Sequence, residues 1–123
     1  MPILEVQVVL RLGEESPTGL AAAIADAAGP VFGAPPGNTW VLVKALPVSA
    51  YAEGSSPPAE GISPVFVSVL KARRGSTEEL REEAMRLTQA IATACHRPPE
   101  NVHIFYEPEG VGRISFGGQL MTE

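Results

Sequence analysis

A chain of 123 residues, 45% apolar and 19% charged, is long enough for one folded domain over 1–123 with a modest core. A net charge of −5 argues against a general nucleic-acid binder, because phosphate contacts need a basic surface, and a single cysteine, Cys95, excludes an internal disulfide framework or a Cys-rich metal site. No basic stretch followed by an apolar run opens the chain, and the longest uncharged run, 27–43, is interrupted by glycines and prolines. Neither a signal peptide nor a membrane span is expected, and a cytoplasmic protein follows by default.

The chain opens MPILEVQVVL, a strand over about 3–11 with a proline at its head. Ser16 with Pro17 behind it reads as a helix cap and first helical position, so a helix is expected over 17–33, Ala-rich, with Leu20 and Ile24 as its large apolar residues. WVLVKAL makes a second strand over 39–46, apolar on both parities. The stretch 47–63 is rich in Pro, Gly and Ser and reads as a connector, with room for a short strand near Tyr51. A third strand is expected over 65–71 and a second helix over 77–95, where Ser76 and Glu79 have the spacing of a capping box. Leu80, Ala84, Leu87, Ile91 and Cys95 fall on one face of that helix, and Glu78, Glu82, Arg86 and Gln89 fall elsewhere. Core packing is therefore the expected role of Cys95. A last main strand covers 102–107, with His103, Phe105 and Glu107 on one parity and Val102, Ile104 and Tyr106 on the other.

These elements repeat. PPGNTWVLVKALPVSAYAEG at 35–54 and PPENVHIFYEPEGVGRISFG at 98–117 align at a constant spacing of 63, matching Pro35 to Pro98, Pro36 to Pro99, Asn38 to Asn101 and Gly54 to Gly117. Upstream, MPILEVQVVL is similar to SPVFVSVLKA, with Pro2 against Pro64. Each copy, about 1–54 and 64–123, reads strand, helix, strand, which argues for a parallel βαβ unit. Two units imply an α+β, two-layer fold: a four-stranded sheet with both helices on one face. The other face is then left for self-association to cover.

In this arrangement the chain resembles the tautomerase superfamily, whose members are built from βαβ units and begin with a catalytic proline exposed by removal of methionine. GVGRISFGGQL, with Gly117 and Gly118, resembles the closing hairpin of the 4-oxalocrotonate tautomerase group. The duplication resembles the fused members, among them the cis-3-chloroacrylic acid dehalogenase, malonate semialdehyde decarboxylase and macrophage migration inhibitory factor groups. The resemblance covers nearly the whole chain and implies a homotrimer without cofactor or metal.

It also implies a role for Pro2. An α-amino group titrates at about 8, and a rigid secondary amine near neutrality is a good general base or acid. Pro64 holds the same place in the second copy, but its nitrogen is an amide. LKARRGS, with Lys71, Arg73 and Arg74 before the Ser76 cap, reads either as a solvated loop or as an anion clamp. Fused members resemble it here with two arginines that bind substrate carboxylates, which puts Arg74 first and Arg73 second. The chain departs from the pattern elsewhere. Trp40 and His103 stand in the strand that carries the single-unit tautomerase's second arginine. Ile114 replaces a pocket phenylalanine, with Arg113 beside it, and Asn38 lies near a decarboxylase aspartate. Glu107 lies close to the glutamate with which the fused dehalogenase activates water. Tyr51 and Tyr106 are either core residues or hydrogen-bond donors to an oxyanion.

The expected function is a cofactor-independent keto–enol tautomerase or isomerase of a small 2-oxo or 2-hydroxy-dienoate acid. Pro2 and Arg74 would be catalytic. Arg73, Lys71, Ile114, Phe116, Arg113, His103 and Glu107 would bind the substrate. The alternatives are a haloacrylate dehalogenase or hydratase, and a non-catalytic trimeric binding protein of the same fold.

Overall fold

The computed structural model describes residues 2–54 and 62–122. In chain order these form β1 (Ile3–Val9), α1 (Leu20–Phe32), β2 (Trp40–Leu46), β3 (Val65–Leu70), α2 (Thr77–Cys95), β4 (Val102–Tyr106) and a short hairpin of β5 (Ser115–Phe116) and β6 (Gln119–Leu120). Single 3₁₀ turns stand at Val48–Ala50 and Pro99–Asn101. The main sheet has the order β2-β1-β3-β4. β1 pairs with β2, and β3 with β4, in parallel; β1 and β3 meet antiparallel at the centre.

The repetition in the sequence appears in the hydrogen bonding. Ile3 faces Trp40 in the first unit, and Val65 faces Val102 in the second, so both crossovers span the same length. Asn38 N–H donates to the Pro35 carbonyl at 3.1 Å, and Asn101 N–H to the Pro98 carbonyl at 2.9 Å. The two units are related by a pseudo-twofold axis through the central pair, where Val6 faces Val67 and Glu5 faces Ser68.

Alternation along the strands divides the sheet into two faces. Leu4, Val6 and Val8 of β1 and Val65, Val67 and Val69 of β3 are buried against Leu20, Ile24 and Ala28 of α1 and Leu87 and Ile91 of α2. Both helices thus cover one face and touch each other across it. The opposite parity lies open and includes Leu42 at 56% exposure, Phe105 at 60% and Trp40 at 43%. Burying β-branched and leucine side chains on one face, at about 1.5–3 kcal/mol each, is the main drive for this two-layer packing.

The helices differ at their starts. Ser76 caps α2 by accepting the Glu79 N–H at 3.2 Å, and the Glu79 carboxylate returns the bond to the Ser76 N–H at 2.9 Å, as the spacing of the two residues led one to expect. The helix expected over 17–33 is shorter, Leu20–Phe32, and Ser16 and Pro17 lie outside it. Gly19 is the cap residue, at φ 76° in the left-handed region, and no side chain caps this end. A left-handed residue is easiest for glycine and cannot continue a right-handed turn, so the helix starts after it. Near Tyr51 the connector holds the 3₁₀ turn rather than a strand, because Ala50 N–H turns back to the Pro47 carbonyl. Residues 55–61 of that connector lie outside the described residues. Among the described residues no helix is long and apolar enough to cross a membrane.

Candidate active site

A cavity of about 340 Å³ lies on the open sheet face at the Ile3 end of β1. Ile3 and Glu5 of β1 and Ser68 and Leu70 of β3 form its floor, and Glu107, Arg113 and Ile114 complete it. The floor follows from register. Ile3 faces Leu70 and Glu5 faces Ser68, and all four have the parity that points away from the helices. The walls come from the segment after β4. Glu107 N–H donates to the Val69 carbonyl at 2.9 Å, extending the parallel ladder by one residue. Gly110 N–H then donates to the Lys71 carbonyl at 2.8 Å. A Cβ on Gly110 would stand 3.3 Å from that oxygen and 3.4 Å from Ile114, so glycine is what lets the segment lie this close to the end of β3.

Arg113 is braced from behind. Its Nη1 donates to the carbonyls of Pro108 at 2.8 Å and Glu109 at 3.3 Å. The other guanidinium donors have no protein partner among the described residues. An arginine held in this way presents charge with little remaining freedom, which suits recognition of a carboxylate. The hairpin that follows turns through Gly117 at φ 58° and Gly118 at φ 94°, a pair of left-handed residues that glycine supplies without strain. It carries Phe116 onto Trp40, edge to face, with ring centroids 5.4 Å apart.

The residues singled out from the sequence are distributed unevenly around this cavity. Glu107, Arg113 and Ile114 line it. Pro2 is buried directly before Ile3, and its carbonyl accepts the Trp40 N–H at 3.0 Å, which holds it at the head of β1. Arg73 and Arg74 are exposed on the loop after β3 and do not line the cavity. That loop is fastened to the wall segment, however: Glu109 accepts the Arg74 backbone N–H at 2.8 Å. Phe116 stays with Trp40 rather than lining the cavity.

Two candidates point elsewhere. Lys71 has the helix-facing parity. Its Nζ pairs with Glu83 of α2 at 2.8 Å and stands 5.9 Å from the centre of the Phe32 ring. Tyr106 donates to the other Glu83 oxygen at 3.0 Å, and burial, with that carboxylate's help, pushes its hydroxyl well above the ordinary tyrosine range. Both side chains are thus engaged beneath α2. His103 is on the open face but stacks near Phe66, with centroids 5.5 Å apart. It lies four residues back along β4 from Glu107, roughly 13 Å away at 3.3 Å per residue. Tyr51 lies on the same aromatic group, 5.9 Å from Phe66, and donates to Glu53.

Sequence reasoning missed Ile3, Glu5, Ser68 and Leu70 as cavity residues. Strand alternation puts them on one face, but only the β1–β3 register sets them side by side. It also missed Arg97, which is a structural residue. Its guanidinium donates to the carbonyls of Ser63, Val9 and Cys95 and to both oxygens of Glu14, the shortest contact being 2.8 Å. Burial drives the neighbouring Cys95 thiol up to about 11, against the opposing pull of Arg97, as expected of a core cysteine.

No protein-family model matches the sequence, and no curated protein does. Solved structures do match in fold. A fused 4-OT described as an asymmetric trimer superposes with a TM-score of 0.74 at 16% identity, over 96% of this chain and 94% of its own. FG41 malonate semialdehyde decarboxylase, inhibited by 3-bromopropiolate, gives 0.70 at 18% identity, over 94% and 88%. The macrophage migration inhibitory factor of Trichinella spiralis gives 0.71 at 12%, over 97% and 99%. Over nearly its whole length, the chain has the tandem βαβ fold of the tautomerase superfamily.

Proposed function

We propose that the protein is a cofactor-independent keto–enol tautomerase acting on a small 2-oxo or 2-hydroxy-dienoate acid. The observation that carries this reading is the cavity at the Ile3 end of β1, where a braced arginine and the apolar side chains of Ile3, Leu70 and Ile114 lie beside the strand that Pro2 precedes. With Met1 removed, the Pro2 amine takes the proton from the enol hydroxyl and returns it to carbon, converting enol to ketone with no other reactant. Arg113 holds the carboxylate, and Arg74 and Arg73, on the adjoining loop, add positive potential that favours the enolate. Ile114 and Leu70 exclude water. The same reading makes the protein a homotrimer, in line with the fused 4-OT of this fold that is described as a trimer.

The test is a parallel assay of processed protein, Met1-retaining protein, Pro2→Ala and Pro64→Ala on phenylenolpyruvate. The processed form should be active, the Met1-retaining form nearly inactive, and Pro2→Ala reduced to a fraction of the rate. Pro64→Ala should keep its activity. The rate should rise with pH as the amine, with an ordinary pKa of about 8, loses its proton. Equal rates with and without Met1 would rule out the mechanism. A second reading is favoured by Glu107, whose carboxylate lines the cavity with no partner among the described residues: activation of water for attack on a haloacrylate. It requires halide release that Glu107→Gln abolishes.

A further inference from the structure

We infer that Glu5 is a specificity residue of this cavity, which selects monocarboxylates with an uncharged tail and rejects dicarboxylates. The inference rests on the reading of this cavity as a site for small acids. Its charged lining residues are one guanidinium, Arg113, and two carboxylates, Glu5 and Glu107. Among the described residues neither carboxylate side chain has a hydrogen-bond or ion-pair partner, and Arg113 is the one cation in the cavity lining. The register sets them on opposite sides of β3. Glu5 faces Ser68, and Glu107 continues the ladder beside Leu70. Strand spacings of about 4.8 Å and 3.3 Å per residue put their Cα atoms roughly 10–12 Å apart, diagonally across the floor.

A single carboxylate is satisfied by Arg113. The rest of a small acid then lies over Leu70, Ser68 and Ile3, within reach of Glu5 or Glu107. A second carboxylate on that tail meets like charge and no second cation from the lining. A hydroxyl there finds acceptors instead. Repulsion of the wrong ligand is a common source of specificity and, in a partly enclosed site, is less screened than at open surface.

The experiment measures binding by NMR titration of the full chain with two saturated acids of equal length, hexanoate and adipate, at low salt. It uses wild type, Glu5→Gln and, as a second variant, Glu107→Gln. Hexanoate should bind at least tenfold more tightly than adipate, shifting the amides of Ser68, Leu70 and Arg113. Glu5→Gln should narrow that ratio at least threefold, mainly by tightening adipate, and Glu107→Gln should narrow it in the same direction. Raising the salt concentration should narrow it in wild type. An unchanged ratio in both variants, tighter binding of adipate by wild type, or failure of hexanoate to move those amides would overturn the inference. The readout is independent of turnover. Selective binding without tautomerisation would count against the proposed activity alone, and tautomerisation with an unaltered ratio would count against this inference alone.

Discussion

Arg97 shows how one side chain can hold several segments together. It is 1% exposed, yet its donors reach the end of β1, the residue before Pro64, the last turn of α2 and the loop bearing Glu14. Burial on its own would raise the Glu14 carboxyl. The Arg11 backbone N–H and the Arg97 guanidinium outweigh it and hold the carboxyl below its ordinary value. A carboxyl lowered on folding stabilises the native state fully above its unfolded pKa, and that contribution is lost as pH falls through the folded value. Variants lacking the Arg97–Glu14 pair should therefore be less stable at neutral pH but lose less stability on acidification than wild type. Arg97→Ala should lose about 3–5 kcal/mol, because three carbonyls and a carboxylate lose their donor together, and Glu14→Gln about 1–3 kcal/mol. Urea titrations from pH 3 to 7 check both, and Glu14→Gln should flatten the acid limb that wild type shows.

The two helices have similar positions in their repeats and different local chemistry. α2 has a reciprocal cap and acidic residues, Glu78 and Glu79, in its first turn, where the helix dipole favours them. α1 begins at Gly19 without a side-chain cap and contains Pro30. Proline removes one backbone donor inside the helix, and its place near the end limits the damage. What holds the start of α1 is its contact with the sheet and with α2, not a side-chain cap. Ser76→Ala should therefore cost about 1 kcal/mol. Amide hydrogens in the first turn of α1 should exchange faster than those in the first turn of α2 at equal burial. Exchange followed by mass spectrometry reads this directly; equal protection of Leu20–Ala23 and Thr77–Leu80 would show that packing alone sets the order.

At the scale of the molecule, the sheet has one face covered and one bare. Leu42, Phe105 and Trp40 stand on the bare face among polar neighbours such as Glu5, Gln7 and Lys44, and β2 and β4 are outer strands of the main sheet. Open edges and exposed apolar side chains invite pairing with other copies of the chain. Under the trimer reading, Leu42→Asp should shift sedimentation from trimer toward monomer at micromolar concentration, with little loss of helix signal. A wild-type protein that sediments as a monomer throughout would remove the trimer and leave the fold unaffected.

The order of elements, the repeat and the capping box of α2 were legible in the sequence, because each depends on residues close together in the chain. Alternation separated His103, Phe105 and Glu107 from Val102, Ile104 and Tyr106, and the spacing of Leu87, Ile91 and Cys95 assigned them to one side of α2. The start of α1 was misjudged because Ser-Pro is a good local cap signal, and the backbone of Gly19 overrides it. The cavity was legible only in part. Glu107, Arg113 and Ile114 were reached through the resemblance of the closing segment to the tautomerase superfamily. Glu5 and Ser68 were not, because the β1–β3 register joins them over 63 residues of chain. Lys71 illustrates the same limit in reverse. It lies in one basic run with Arg73 and Arg74, yet strand parity turns it under α2 to Glu83. Periodicity and capping are local and can be read residue by residue. Which charges meet across a sheet depends on register and on the folding back of the wall segment, and only the tertiary structure decides both.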